Sequence, residues 1–276
     1  MGCCAAKFGI QAMKNQHTAI ISPVIGFMLP TVFSGAWFFY AAGAWAANAP
    51  LPVGVTKSGQ SVTVVHVRYE GRSSDELGKK MLESYEEICP AVFKKPLKVS
   101  GPRDKLGLLE SSVFMSAGVT VSYDSAYHSV PHQGDPCEVT ITAKSRVRSM
   151  RWNGKQTQIL KIDLSTGKQE SSVVAGKAGL LDGLAGAPAP DQFELTGEQT
   201  ILGIRCQMRR RASQGFVLES CLVNDSSANG ALINLPLMYR NTFPKGGGVM
   251  NEMTAVQVDP VATIDKAVFD ITAFKK

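Results

Sequence analysis

Signatures of catalysis are missing from this chain. It has no G-x-S-x-G, no H-E-x-x-H, no glycine-rich loop ending in G-K-[ST] and no C-x-x-C. The first absence removes the strained turn that presents a nucleophilic serine. The second and third remove a helix-borne zinc pair and a backbone cradle for nucleotide phosphates. The fourth removes the usual half-site of a structural zinc. Gly167-Lys168 lacks an upstream glycine at the phosphate-loop spacing and reads as a hairpin turn. Histidine is scarce, and only His66, His128 and His132 lie beyond residue 46. No apolar run long enough to cross a bilayer follows that point either.

One such run precedes it. Ala19 to Ala46 carries no charged side chain, Lys7 and Lys14 stand before it without any acidic residue, and it closes on Ala44-Trp45-Ala46. A positive start, an apolar stretch and a small-x-small site are the parts of a secretory signal peptide. The expected division is a signal peptide at 1–46 and a single domain at 47–276. The alternative is a retained anchor helix. Pro23, Gly26, Pro30, Gly35 and Gly43 interrupt the run, and no Lys/Arg cluster follows to stop transfer. Met1-Gly2-Cys3-Cys4 lacks the Ser or Thr that myristoylation wants at position six, where Ala6 stands. Met13 offers a second start with a normal positive region.

Of the 29 basic residues, Lys7 and Lys14 fall in the leader, and the remaining 27 against 23 acidic give +4. That mild balance permits contact with anionic headgroups or cell-wall polymers and is no nucleic-acid signature. Four cysteines remain: Cys89, Cys137, Cys206 and Cys221. An even number in an exported chain points to disulfides. Cys206 and Cys221 flank a run whose midpoint falls in Ala212-Ser213-Gln214-Gly215, a turn-like tetrapeptide, so a hairpin sets them opposite each other. Cys89 then pairs with Cys137 by elimination.

Ser61 to Glu70 is rich in β-branched residues and reads as a strand. Ser73-Ser74-Asp75-Glu76 starts a helix that runs to about Cys89 and stops at Pro90. Beyond 110 the chain reads as strands: 113–123, 137–152, a hairpin at Asn153-Gly154 into 156–164, then 169–174. The Gly- and Ala-rich 175–192 reads as a loop with one helical turn near Leu180 to Leu184. Strands follow at 200–210, 216–224 and 249–259, and 269–274 closes the chain. About eight or nine strands with consecutive hairpins and one early helix give an α+β fold. The expected form is a curved antiparallel sheet, a half-open barrel with one N-terminal helix packed on it. Residues 61–110 form a strand-helix part and 111–276 a β-meander.

Two constellations deserve a chemical reading. The segment 127–137 holds His128, His132 and Asp135, candidate metal ligands, in a stretch whose Pro131, Gly134 and Pro136 read as a loop. Asp124 and His128 offer an acid–base pair with no specified serine. Arg146 and Arg148 fall on one strand face beside Arg151 and Trp152, and Arg209-Arg210-Arg211 lies by the cysteine hairpin's tip. Both basic patches are candidate ligand-binding groups for phosphate or an acidic partner. The plain alternatives are a polar hairpin connection, a solvated turn and the outer face of the sheet.

The stretch Glu198 to Phe274 contains Gly203-Ile204-Arg205-Cys206, Glu219-Ser220-Cys221-Leu222-Val223, Leu235-Pro236-Leu237, Asn251-Glu252-Met253-Thr254-Ala255-Val256 and Ile264-Asp265-Lys266-Ala267-Val268-Phe269-Asp270-Ile271. This is similar to the end of the DUF4412 family of exported bacterial proteins, which resembles the LolA/LolB lipoprotein carriers. The resemblance implies a half-open antiparallel barrel in the periplasm. The expected function is non-enzymatic binding of a lipid, lipoprotein or other hydrophobic ligand in the concave sheet. A structural or protein-interaction part of the envelope is the alternative, and a His-loop metal-dependent enzyme is the third. No cofactor is implied, nucleic acid is not an expected partner, and membrane contact is transient or through an uncleaved leader.

Overall fold

The computed structural model describes residues 52, 54–73, 76–183, 193–213, 215–224, 232–243 and 248–274. The leader, its cleavage site, Ser74-Asp75 at the helix start and 184–192 of the Gly/Ala-rich loop lie outside them.

The strands are β1 (Ser61–Ser73), β2 (Lys98–Ser100), β3 (Leu108–Ser116), β4 (Val119–His132), β5 (Asp135–Trp152), β6 (Gln156–Asp163), β7 (Gln169–Ala175), β8 (Glu194–Ile201), β9 (Ile204–Ser213), β10 (Phe216–Val223), β11 (Pro236–Thr242) and β12 (Val249–Asp265), with helix α1 (Glu76–Ala91) after β1. They form one curved, open sheet in the order β7-β6-β5-β4-β3-β1-β12-β11-β10-β9-β8, while β2 adds to β5 in parallel. All other pairings are antiparallel. The chain thus starts at the centre, meanders outward to the β7 edge, crosses to the β8 edge and meanders back to lie beside β1.

The sheet holds twelve strands rather than eight or nine, because several turns lack polar punctuation. The single strand read over 113–123 is broken at Ala117-Gly118, where Gly118 takes φ +74° and returns the chain as β4. Leu202-Gly203 likewise splits β8 from β9. The 127–137 segment is not a loop. β4 runs on to His132 and β5 begins at Asp135. Pro131 is tolerated because β3 stops pairing with β4 at Ala126, so beyond it β4 has β5 on one side only. Helix α1 passes through Pro90 to Ala91, with the Val92 amide donating to the Ile88 carbonyl at 2.8 Å. At the end of a helix the ring forfeits one bond and stops nothing. The final strand expected at 269–274 is instead two 3-10 turns, Lys266–Phe269 and Ile271–Phe274.

Register assigns the two faces. On one, Val67 lies opposite Val113, then Ser122, then Arg148, while Tyr69 leads through Ser111 and Asp124 to Arg146. On the other, Ser112 leads through Tyr123 and Val147 to Ile162. The second face is closed by the C-terminal turns. Phe269, Ile271 and Phe274 pack against Val121, Val147 and Ile162, and Val268 packs against Val64, Phe114 and Ile264. The Tyr123 hydroxyl donates to the Val268 carbonyl at 2.8 Å. Farther along the same side of β5, Leu82 and Tyr85 of α1 meet Val139 and Ile141. Cys89 at the helix end is bonded there to Cys137. Burying a valine or isoleucine in this way contributes about 1.5–3 kcal/mol. The second disulfide joins Cys206 of β9 to Cys221 of β10 on a diagonal rather than face to face, since the register sets Cys206 opposite Val223 and Cys221 opposite Met208.

In β1, Val64, Val65, His66 and Val67 are all buried. A central strand covered on both faces loses its alternation. Its partner β12 comes so close that a Cβ on Gly71 would stand 1.8 Å from the Glu252 carbonyl oxygen.

Candidate functional site

With α1 and the C-terminal turns on one face, the other keeps an open stretch. The connection leaving edge β7 folds across it. Thr157 anchors this strap, donating to the Gly176 carbonyl at 2.9 Å and accepting from the Ala178 amide at 2.8 Å. The strap then makes a 3-10 turn at Leu180–Gly183. Leu180 packs onto the Val65–Val67–Val113 core.

Beneath the strap lies a groove of two lobes that share Leu180. One lobe, about 310 Å³, is bounded by Met115, Met150, Trp152, Ile233 and Leu235, with Lys177 its one charged residue. The other, about 290 Å³, holds Glu110 and Asp124, Lys144, Arg146 and Arg148, with Tyr69, Tyr239 and Asn251. Met115 follows Val113, and Met150 follows Arg148, two residues along the same strand faces, so both lobes lie on one side of the sheet.

The polar lobe is ordered around Asp124. Its two oxygens accept from Ser111 Oγ at 2.6 Å and Ser122 Oγ at 3.1 Å. Arg148 Nε reaches the same Ser122 oxygen at 3.4 Å. Arg148 is only 5% exposed, and its Nη1 has no partner. Among the described residues no carboxylate lies within 4 Å of it, whereas Lys144 is held by Asp163 at 3.6 Å. Tyr69 donates to the Pro236 carbonyl at 2.7 Å. Burial pushes both phenols above their ordinary range. At Tyr239 the Asp124 charge adds to that rise, and at both the Arg148 charge opposes it. The tyrosines are therefore neutral donors at any physiological pH. Asn241 donates to Asn251 Oδ1 at 2.8 Å, leaving its own oxygen unpartnered.

The second basic run lies in β9 rather than in the turn. Arg209 is opposite Ser220 and Arg211 opposite Leu218, which in turn oppose Tyr239 and Asn241, so both arginines share the groove's side of the sheet. The Nε atoms of both lack partners. Arg210 points the other way, opposite Glu219, and is exposed.

The histidine segment is spread along a hairpin. His128 follows Asp124 by four residues, roughly 13 Å along a strand, which separates the acid–base pair. Its Nδ1 lies 3.4 Å from the Ala126 carbonyl. His132 is exposed opposite Asp135. Asp135 is bonded by Lys95 at 2.5 Å and by the Cys137 amide at 2.9 Å, and these bonds depress its pKa in that order. Among the described residues no three His, Cys, Asp or Glu side chains converge as a metal would need.

A larger hollow, about 640 Å³, lies beside the lead-in and the C-terminal turns. Its cations Arg151 and Lys266 are exposed, and none of the unpartnered buried polar atoms lines it. The Arg148 groove is the better candidate.

Sequence reasoning found Arg146 and Arg148 but not Tyr69, Ser111, Tyr239, Asn241 or Asn251. The signal was the polar half of β4: Ser122 and Asp124 alternate with Val121 and Tyr123, which marks one face of a central strand as polar.

No protein-family model matches the chain, and no curated protein does. Among solved structures, PNGF-II in two crystal forms is similar, at 12% and 10% identity with TM-scores of 0.39 and 0.38. Each match covers 76% of this chain and 30% of the other. The chain thus spans under a third of that protein's length, and so loose a likeness carries no chemistry. Among the described residues no helix is long and apolar enough to cross a membrane.

Proposed function

We propose that this is an exported, non-enzymatic binding protein that takes a lipid, the lipid part of a lipoprotein, or another hydrophobic or amphiphilic ligand into the groove beneath the strap. The observation that carries the reading is the two-lobed groove itself. One sheet face is filled by α1 and the C-terminal turns, while the other keeps about 600 Å³ in two lobes that meet at Leu180, within the usual range for a small-molecule site. Two disulfides favour an oxidising compartment, and the periplasm fits the leader read at 1–46. The open antiparallel sheet favours the LolA-like reading. Both Asp124 oxygens are taken by the Ser111 and Ser122 hydroxyls, an arrangement that suits a fixed binding group.

Native mass spectrometry of the protein purified from its own envelope tests this, followed by denaturing mass and lipid analysis. A mass excess that vanishes on denaturation and reappears as extractable lipid is the expected result. A bare mass, with no lipid in the extract, overturns it.

A structural or protein-interaction role in the envelope is the second reading. It is favoured by the sheet's two edges, where Val173 of β7 and Leu195 of β8 are 58% and 60% exposed. Cross-linking in intact cells that joins β7 or β8 to one discrete protein would support it.

A further inference from the structure

Arg148 is a buried cation in the wall of the groove. It sits mid-strand in β5, 5% exposed, with Nη1 unpartnered and no carboxylate within 4 Å among the described residues. A buried cation in that state is destabilising unless something completes it. Its surroundings leave one side for that purpose. Ser122 holds Nε, and the hydroxyls of Ser111 and Ser122 take both oxygens of Asp124, so the aspartate is solvated without closing on the guanidinium. Tyr69 spends its proton on Pro236 and stays neutral. Arg146, one turn of the pleat nearer the mouth, is exposed and has no carboxylate within 4 Å among the described residues. The strand face running the other way from Arg148 becomes apolar at Met150 and reaches Trp152.

We infer that the groove takes its ligand in one direction: an anionic oxo group, carboxylate or phosphate, of an amphiphile docks on Arg148 beside Arg146, and its apolar tail runs under Leu180 toward Met150 and Trp152. This rests on the ligand-binding reading above and adds the charge and the direction of the ligand. The planar guanidinium suits either oxyanion, because its parallel N–H groups match two oxygens at once. Trp152 stands four residues from Arg148, about 13 Å along the strand, so a medium-length chain spans the two.

The test is calorimetry on the oxidised full chain with four probes: dodecanoate, dodecyl phosphate, dodecanol and inorganic phosphate. Both anionic amphiphiles are expected to bind about 10- to 100-fold tighter than dodecanol, the range of a charge-assisted pair. In Arg148→Met that advantage disappears. Arg146→Gln keeps the preference but flattens its salt dependence. Should Arg148→Met lose its near-UV dichroism, Arg148→Lys replaces it and retains only part of the advantage, since an ammonium lacks the fork. Dodecanol binding as tightly as the anions, or an anion preference surviving in Arg148→Met, overturns the inference while leaving the groove reading intact. Binding of inorganic phosphate alone, dependent on Arg148, keeps the anion site and overturns the amphiphile. Failure of all four probes overturns both.

Discussion

Removing the two disulfides one at a time should destabilise the protein unequally, in an order set by chain length. Cys89 and Cys137 are separated by 48 residues, Cys206 and Cys221 by 15. Opening the longer loop frees more conformations in the unfolded chain. The loop-entropy relation gives about 4 kcal/mol for the first bond and about 3 kcal/mol for the second. Either is a large share of the roughly 5–15 kcal/mol that holds a domain together. The local consequences differ as well. Cys206 and Cys221 sit in strands that eight paired positions already fasten, so their loss leaves local structure in place. Helix α1 meets the sheet through Leu82 and Tyr85 and is tied to it by the Cys89 bond. Urea unfolding of Cys89→Ala/Cys137→Ala and Cys206→Ala/Cys221→Ala measures the first difference, with slopes compared to detect partial unfolding. Hydrogen exchange over 76–91 measures the second and should lose protection only in the first variant. A hairpin variant less stable than the helix variant, or a helix that keeps full protection without Cys89, would refute the reasoning.

Three further outcomes follow from individual residues. His66 is 5% exposed, stacked on Phe114 at 4.6 Å, with Nε2 unpartnered. Burial lowers its pKa from 6.5, Asp259 opposing and Arg68 assisting. Its contribution is therefore complete above pH 6.5 and falls as acid charges it, so His66→Phe should flatten the loss of melting temperature below pH 6.5. Gly71→Ala puts a Cβ 1.8 Å from the Glu252 carbonyl oxygen. Backbone must move, and urea unfolding should register a loss of about 1–3 kcal/mol. Asp163 caps the β6–β7 turn by accepting from the Thr166 and Ser165 amides, which hold its pKa at about 2. That stabilisation is present above its ordinary 3.8 and is lost as pH falls through about 2, a midpoint that carboxyl NMR titration reads directly.

How much of this was legible beforehand depended on local chemistry. Asn153-Gly154 and the 165–168 turn announce their hairpins because they need residues that tolerate positive φ or bond their own backbone. The cysteine hairpin was legible for the same reason. Ala117-Gly118 and Leu202-Gly203 announce nothing, and two strands were merged or shortened there. Pro131, Pro136 and Gly134 argued for a loop, but β3 no longer pairs with β4 beyond Ala126, which lets β4 carry Pro131, and Gly134 takes φ +92° in the turn between the two strands. The C-terminal turns were beyond reach from periodicity, since Phe269, Ile271 and Phe274 look like a strand until the face they cover is known. The site divides the same way. Arg146 and Arg148 share a face by spacing alone, but Tyr239 and Asn251 join them only through registers across β1, β11 and β12 that no local rule specifies.

The position of β1 governs how the molecule must be assembled. Val64, Val65 and Val67 are synthesised early, and β3 covers one flank of their strand soon afterwards. The other flank waits for residues 249–265, since Ser61 pairs with Asp265 and Ser73 with Asn251. Until that last strand arrives, a strand whose Val64, Val65, His66 and Val67 are buried in the finished fold presents a bare edge, the kind of surface that pairs with the wrong chain. A chain synthesised in sequence order therefore completes its middle last. Any truncation upstream of Val249 leaves the centre, rather than the periphery, unmade.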